Sequence, residues 1–193
     1  MRWTKEQPNS VDAWYGLGLA YSRIFKHVEA IDALHQALKI DPKNAFAWNN
    51  LGMSYNANKQ YVQAIDALHQ ALRINPDFAL AWNNLGISYN HNKQYVQGKD
   101  ALLKVLQIDP KNAFAWNNLG VAYKNMQQYS QATNAYLEAL QINPRDVAAM
   151  SNLGVIYHLT GDSIKVNEVY TKLKTIDPAQ ADKFFNALIL PKN

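Results

Sequence analysis

Four asparagines, Asn50, Asn84, Asn118 and Asn152, stand 34 residues apart, and Asn186 falls on the same beat. A carboxamide carries donors and an acceptor together. A row of them can therefore pair with the N–H and C=O groups of an extended chain, or with one another. A second row, Asn49, Asn83 and Asn117, runs beside the first. The earliest copy departs from the pattern, with Tyr15 and Gly16 in the paired positions. Apolar residues flank the amides at fixed offsets: Phe46 and Met53, then Leu80 and Ile87, then Phe114 and Val121. This is the chemistry of recognition.

Bond-making chemistry has no comparable signal. The chain contains no glycine-rich phosphate loop, no metal-spaced histidine pair and no nucleophile motif. His35 and His69 share a phase only because each belongs to a copy of the block IDALHQAL, at 31–38 and 65–72; His27, His91 and His158 share none. The absence of cysteine excludes disulfides and thiolate metal sites. No catalytic residue, metal or cofactor is expected, and the chain reads as a non-enzyme. Its net charge is +4, from 19 Lys and Arg against 15 Asp and Glu. The basic residues, among them Lys39, Arg73, Lys104 and Arg145, are scattered as a solvated rim, so nucleic acid is not an expected partner. No run of 18 apolar residues occurs, and no membrane insertion is expected.

The rows need regular elements to position them, and the period supplies those. The stretch KNAFAWNNLG occupies 43–52 and returns unchanged at 111–120. Trp14, Trp48, Trp82 and Trp116 keep the 34-residue step, with Met150 next in line. Glycines from Gly18 to Gly154, tyrosines from Tyr21 to Tyr157 and prolines from Pro8 to Pro178 keep it too. Within a copy, Trp14, Leu17, Gly18 and Tyr21 are spaced i, i+3, i+4, i+7, one face of a helix. Ala30, Ile31, Leu34, Ala37 and Leu38 predict a second helix near 28–40. Asp41-Pro42 and its equivalents stop that helix, because a residue before proline disfavours helical dihedrals. Ser10, Asn44, Asn112 and Asp146 are placed as N-caps. A glycine in mid-helix costs about 1 kcal/mol relative to alanine, so five at one phase imply close backbone approach, here to the second helix. No stretch shows strand-like alternation, and the fold class is all-α.

A fixed period of this length marks a repeat architecture. The pattern W-x2-L-G-x2-Y, then a small residue, then Pro, resembles the tetratricopeptide repeat. The resemblance implies a right-handed superhelical solenoid of helix-turn-helix repeats whose first helices line a concave groove. Five full repeats are expected at 11–44, 45–78, 79–112, 113–146 and 147–180. Residues 1–10 match the end of a preceding repeat, and 181–193 an incomplete sixth unit whose capping helix would cover the core with Phe185 and Ile189. Repeat three departs, with Gly98 where others have Ala and Val105 where others have Ala, which predicts local repacking. At about 100° per residue, Phe46, Asn50, Met53 and Ala57 point away from Trp48, and by the resemblance toward the groove.

The asparagine row also resembles the ladder of the O-linked N-acetylglucosamine transferase repeats and of kinesin light chains. That resemblance implies a protein–protein interaction scaffold gripping an extended peptide or partner segment. The residues expected to do so are Asn50, Asn84, Asn118 and Asn152 with Asn49, Asn83 and Asn117. Phe46, Met53, Leu80, Ile87, Phe114 and Val121 would take the peptide's side chains. Chaperone-binding members of the family clamp a carboxylate with inner Lys and Arg; here only Arg23 and Lys124 lie on the inner helices, and they do not match that clamp. Three alternatives stay open. The amides could link adjacent first helices, the solenoid ends could stack into a homo-oligomer, or the chain could be the substrate-recruiting region of a larger enzyme.

Overall fold

A computed structural model describes residues 9–189, and among them eleven α-helices follow one another without a strand. In chain order these are α1 Val11–Arg23, α2 His27–Ile40, α3 Ala45–Ala57, α4 Tyr61–Ile74, α5 Ala79–His91, α6 Tyr95–Ile108, α7 Ala113–Asn125, α8 Tyr129–Ile142, α9 Val147–Leu159, α10 Ser163–Ile176 and α11 Pro178–Ile189. The all-α expectation is met. The helices pair as five hairpins, α1–α2 to α9–α10, and α11 packs on α10. They form two compact units, Met1–Ile108 and Asp109–Asn193. Most of the expected preceding-repeat tail, and the end of the expected capping segment, lie outside the described residues.

The start and stop signals operate as read. Ser10, Asn44 and Asn112 each accept a bond from the backbone N–H three residues on, at 3.2, 2.9 and 3.0 Å. Asp146 accepts two, from Ala148 and Ala149. These caps satisfy N–H groups that have no partner inside the helix. At the other end, Asp41, Asn75 and Asp177 leave the helical region for extended dihedrals before each proline. Every first helix closes through a residue in the left-handed region: Phe25, Lys59, Lys93, Gln127 and Gly161.

The periodic glycines make room for a neighbour. A Cβ on Gly52 would lie 2.6 Å from Leu68 Cγ, and one on Gly18 2.7 Å from Leu34 Cγ. Gly86 faces Leu102 in the same way, and Gly120 faces Tyr136. These are second-helix residues of the same hairpin, as the spacing predicts. Each of the three leucines is fully buried, which stabilises the hairpin by about 1.5–3 kcal/mol apiece. Gly154 differs, since its nearest neighbours are Phe184 of α11 as well as Val169 of α10.

The periodic tryptophan and proline are coupled as well. Trp48, Trp82 and Trp116 donate their indole N–H to the carbonyls of Pro42, Pro76 and Pro110, at 2.9, 2.7 and 3.0 Å. Each bond ties a first helix to the turn that precedes it.

The repacking expected in the third hairpin takes a specific form, and one expectation for the last element needs correction. In the third hairpin the space left by Gly98 is taken by the Asn90 carboxamide of α5, so the missing methyl is replaced by an amide from the partner helix. Val105 is buried separately in the core. In the last element Phe184, rather than Phe185, enters the core beside Met150, Val169 and Leu173. Phe185 stacks on Tyr170 with ring centroids 4.7 Å apart, and the side chain of Ile189 lies outside the described residues.

Candidate functional site

In the first unit, α1, α3 and α5 lie side by side, and the amide rows sit along their junctions. Asn50 donates to Tyr15 Oη at 2.9 Å and to the Phe46 carbonyl at 2.9 Å. Asn84 donates to Asn49 Oδ1 at 2.9 Å. In the second unit Asn152 donates to Asn117 Oδ1 at 3.0 Å. The offset is 35 residues each time, one period plus one. Asn49 and Asn117, each the first amide of its doublet, accept from the next first helix, and Asn50 and Asn84, each the second, donate to the preceding one. Tyr15 fills the accepting role where the earliest copy lacks asparagine. Burial lifts its hydroxyl above the usual phenol range, and the Asn50 bond acts against that rise.

Burial grades the rows. Asn49 is 1% exposed and Asn84 8%, whereas Asn50, Asn83, Asn117, Asn118 and Asn152 are half-buried. Asn83 and Asn118 are engaged in interactions too. Two further bonds complete the first unit's seam: Ser22 Oγ to Ser54 Oγ at 3.1 Å, and His91 Nδ1 to Asn56 Oδ1 at 3.0 Å. None of the residues named in the seam is Lys, Arg, Asp or Glu.

The flanking apolar residues stand in the open. Phe46 is 60% exposed, Leu80 52% and Met53 44%, while Ile87 is half-buried. The Phe46 ring meets Phe78 edge-on at 5.1 Å, which fixes it without covering it. In the second unit Phe114 is 72% exposed and Val121 half-buried. Helices already packed through Trp, Gly and Tyr thus present large apolar side chains on another face, which an ordinary surface helix does not.

The duplicated histidines have a role that the sequence reading missed. His35 Nε2 meets Tyr55 Oη at 2.7 Å and His69 Nε2 meets Tyr89 Oη at 2.9 Å, each joining a second helix to the next first helix. Burial holds His35 below the usual imidazole range, with Asp32 pulling it upward. The signal was available in the constant separation of 20 residues between each His and its Tyr. Among the described residues no three His, Asp or Glu are grouped to hold a metal ion, and no helix is long and apolar enough to cross a membrane.

Comparisons with known proteins agree with this architecture. The family model described as the cytochrome c-type biogenesis protein H TPR domain matches residues 33–146. Two models described as tetratricopeptide repeat match 11–44 and 135–165. No curated protein matches the chain at a significant level. Among solved structures, MamA from Desulfovibrio magneticus RS-1, from residue 41 to its end, is 20% identical with a TM-score of 0.78, covering 88% of this chain and 96% of its own. YrrB, described as a TPR protein with an unusual peptide-binding site, is 20% identical with a TM-score of 0.70, covering 94% and 95%. PilF of Pseudomonas aeruginosa is 20% identical with a TM-score of 0.76, covering 94% and 93%. At such identities the likeness concerns the fold. With a model spanning more than half its length and the hairpin geometry above, the chain belongs to the tetratricopeptide-repeat family.

Proposed function

We propose that the chain is a non-catalytic protein-interaction scaffold whose first-helix faces take an extended peptide or partner segment, mainly through its apolar side chains. The observation that carries this reading is the exposure of Phe46, Met53 and Leu80 in the first unit, beside an uncharged amide seam. Burying such side chains against a partner contributes about 25 cal/mol per Å² of apolar surface. The amides take a supporting part. Asn84 and Asn152 spend a donor on the preceding first helix. Half-buried Asn152 keeps its second N–H and further lone pairs of its oxygen for single bonds to a peptide backbone, whereas Asn50 spends both N–H groups, on Tyr15 and the Phe46 carbonyl, and keeps only its oxygen. YrrB, a fold neighbour, is described as having a peptide-binding site, which is consistent with this reading.

The test is selection from a displayed random-peptide library, followed by binding to a Phe46→Ser, Leu80→Ser variant. Both positions are exposed, so the variant should keep its circular dichroism and its unfolding midpoint. Selected peptides should be rich in large apolar residues and should bind the variant at least about tenfold more weakly, equivalent to about 1.4 kcal/mol. Equal binding to both proteins would remove the face from consideration.

A further inference from the structure

The first unit carries a second kind of surface, on the side where its tryptophans lie. A cleft of about 430 Å³ in the first hairpin is lined by Trp14, Tyr21, Glu29 and Asp32. One period on, a cleft of about 270 Å³ is lined by Trp48, Tyr55 and Asp66, with Gln63 in place of Glu29. His35, from the preceding hairpin, forms one of the walls of the second cleft. The same sequence positions thus build the same cavity twice.

The carboxylates lie between the aromatic pairs. Asp32 lines the first cleft, and its charge also reaches Tyr55 in the second, adding to the rise that burial gives that hydroxyl. Asp66 lines the second cleft and acts on Tyr89 of α5 in the same way. Neither Asp32 nor Asp66 has an ion-pair partner among the described residues. Asp100, the next on the beat, does: Lys99 Nζ lies 3.2 Å from it. The surface therefore alternates aromatic pair and open carboxylate, in a chain whose net charge is +4. Local negative charge that runs against the overall balance favours a cationic occupant.

The aromatic walls specify which cation. A guanidinium over an indole or phenol ring gains about 0.5–1 kcal/mol at an exposed site. An exposed carboxylate adds an ion pair that alone would be worth about as little. Together, and repeated at one-repeat spacing, they suit a planar cation on a long stem. We propose that these clefts take arginine side chains of a basic protein segment, successive arginines seating in successive clefts. This site is separate from the apolar first-helix face and stands or falls independently of it.

The probe is an acetylated hexa-arginine peptide, with the hexa-citrulline peptide as a neutral counterpart of the same shape. Binding is read from the indole N–H signals of Trp14 and Trp48 in nitrogen–proton correlation spectra. Hexa-arginine should shift both signals saturably, and hexa-citrulline neither. An Asp32→Asn, Asp66→Asn variant, which replaces two exposed groups without changing shape, should bind about tenfold more weakly. Asp77→Asn removes one charge at an exposed position that lines neither cleft and should leave binding unchanged. The proposal is overturned if hexa-arginine fails to bind, if hexa-citrulline moves the same signals as far, or if Asp77→Asn weakens binding as much as the double variant.

Discussion

In the second hairpin Gly52 admits Leu68, Trp48 is tied to the Pro42 carbonyl, and Asn50 reaches back to Tyr15. The fifth hairpin keeps the glycine and the amide but has Met150 in place of the tryptophan and Tyr170 in place of the leucine. The place of the leucine against Gly154 is taken from outside by Phe184 of α11, which packs with Met150, Val169 and Leu173. That helix is fastened at its rim by Lys174 to Asp182, at 2.6 Å, and by Tyr170 to Asp182, at 3.0 Å. The second hairpin is built from periodic residues for neighbours of its own kind. The fifth is adapted to one particular helix. Periodicity therefore marks what every junction needs, and departures from it mark what a single junction does.

The largest expected effect tests the glycine. Gly52→Val puts a branched side chain where a Cβ alone would already lie 2.6 Å from Leu68 Cγ and 3.2 Å from the Ala64 carbonyl. Overpacking of this kind costs about 2–3 kcal/mol, read as a lower urea midpoint. Gly154→Val should act locally instead, pushing on Phe184 and accelerating amide exchange in α11 before the rest of its unit. A fifth hairpin that unfolds as a whole in that variant would erase the distinction drawn between the two. Gly16→Ala is the control with opposite sign, since nothing lies within 4 Å of its added Cβ. It should stabilise by up to about 1 kcal/mol through helix propensity.

The amide seam comes next in size. Asn84→Ala removes the partner of Asn49 Oδ1 inside a site where both residues are buried. A buried acceptor left without its donor costs about 2 kcal/mol. Asn152→Ala breaks the equivalent bond to Asn117 between half-buried residues, where water can replace the lost partner, and about 1 kcal/mol is expected. Urea unfolding of the two variants measures the difference. Equal losses would show that the seam is uniform, and that burial does not grade it.

Most of the fold was legible because its determinants are local and repeated. Ser10, Asn44, Asn112 and Asp146 cap where their types and spacing place them, and all five glycines meet the second helix of their own hairpin, Gly154 with Phe184 of α11 besides. What escaped depends on how side chains of different helices fit together. Phe184, rather than Tyr170 at the Leu68 phase, packs against Gly154, and no sequence spacing reports that exchange. The Asn90 carboxamide fills the gap at Gly98 for the same reason. In the candidate face, the exposure of Phe46, Leu80 and Phe114 was readable from helical phase. The division of labour within each Asn–Asn doublet was not, because it arises from the 35-residue offset between neighbouring helices, which only their packing sets.

The smallest effect concerns a residue that the period does not explain. Tyr136 stands where the first three hairpins carry Leu34, Leu68 and Leu102, fully buried against Gly120. Its hydroxyl has no hydrogen-bond partner among the described residues. A buried donor without a partner is destabilising, so Tyr136→Phe should raise stability by about 1 kcal/mol. The pH dependence gives a second reading of the same group. Burial pushes the Tyr136 hydroxyl well above the usual phenol range, whereas in the unfolded chain it ionises at about pH 10. Above that pH the unfolded state releases a proton that the folded state keeps, so the wild-type chain loses stability as pH rises. Phenylalanine cannot take part in that loss. Tyr15, Tyr55, Tyr89 and Tyr157 are also shifted upward by burial, but they are present in both proteins and cancel in the difference. The advantage of Tyr136→Phe should therefore be constant at neutral pH and widen above about pH 10. Thermal midpoints taken across that range decide the matter: a variant less stable than the wild type at neutral pH, or an advantage that does not grow with alkalinity, would mean that the hydroxyl is solvated or bonded in the folded chain.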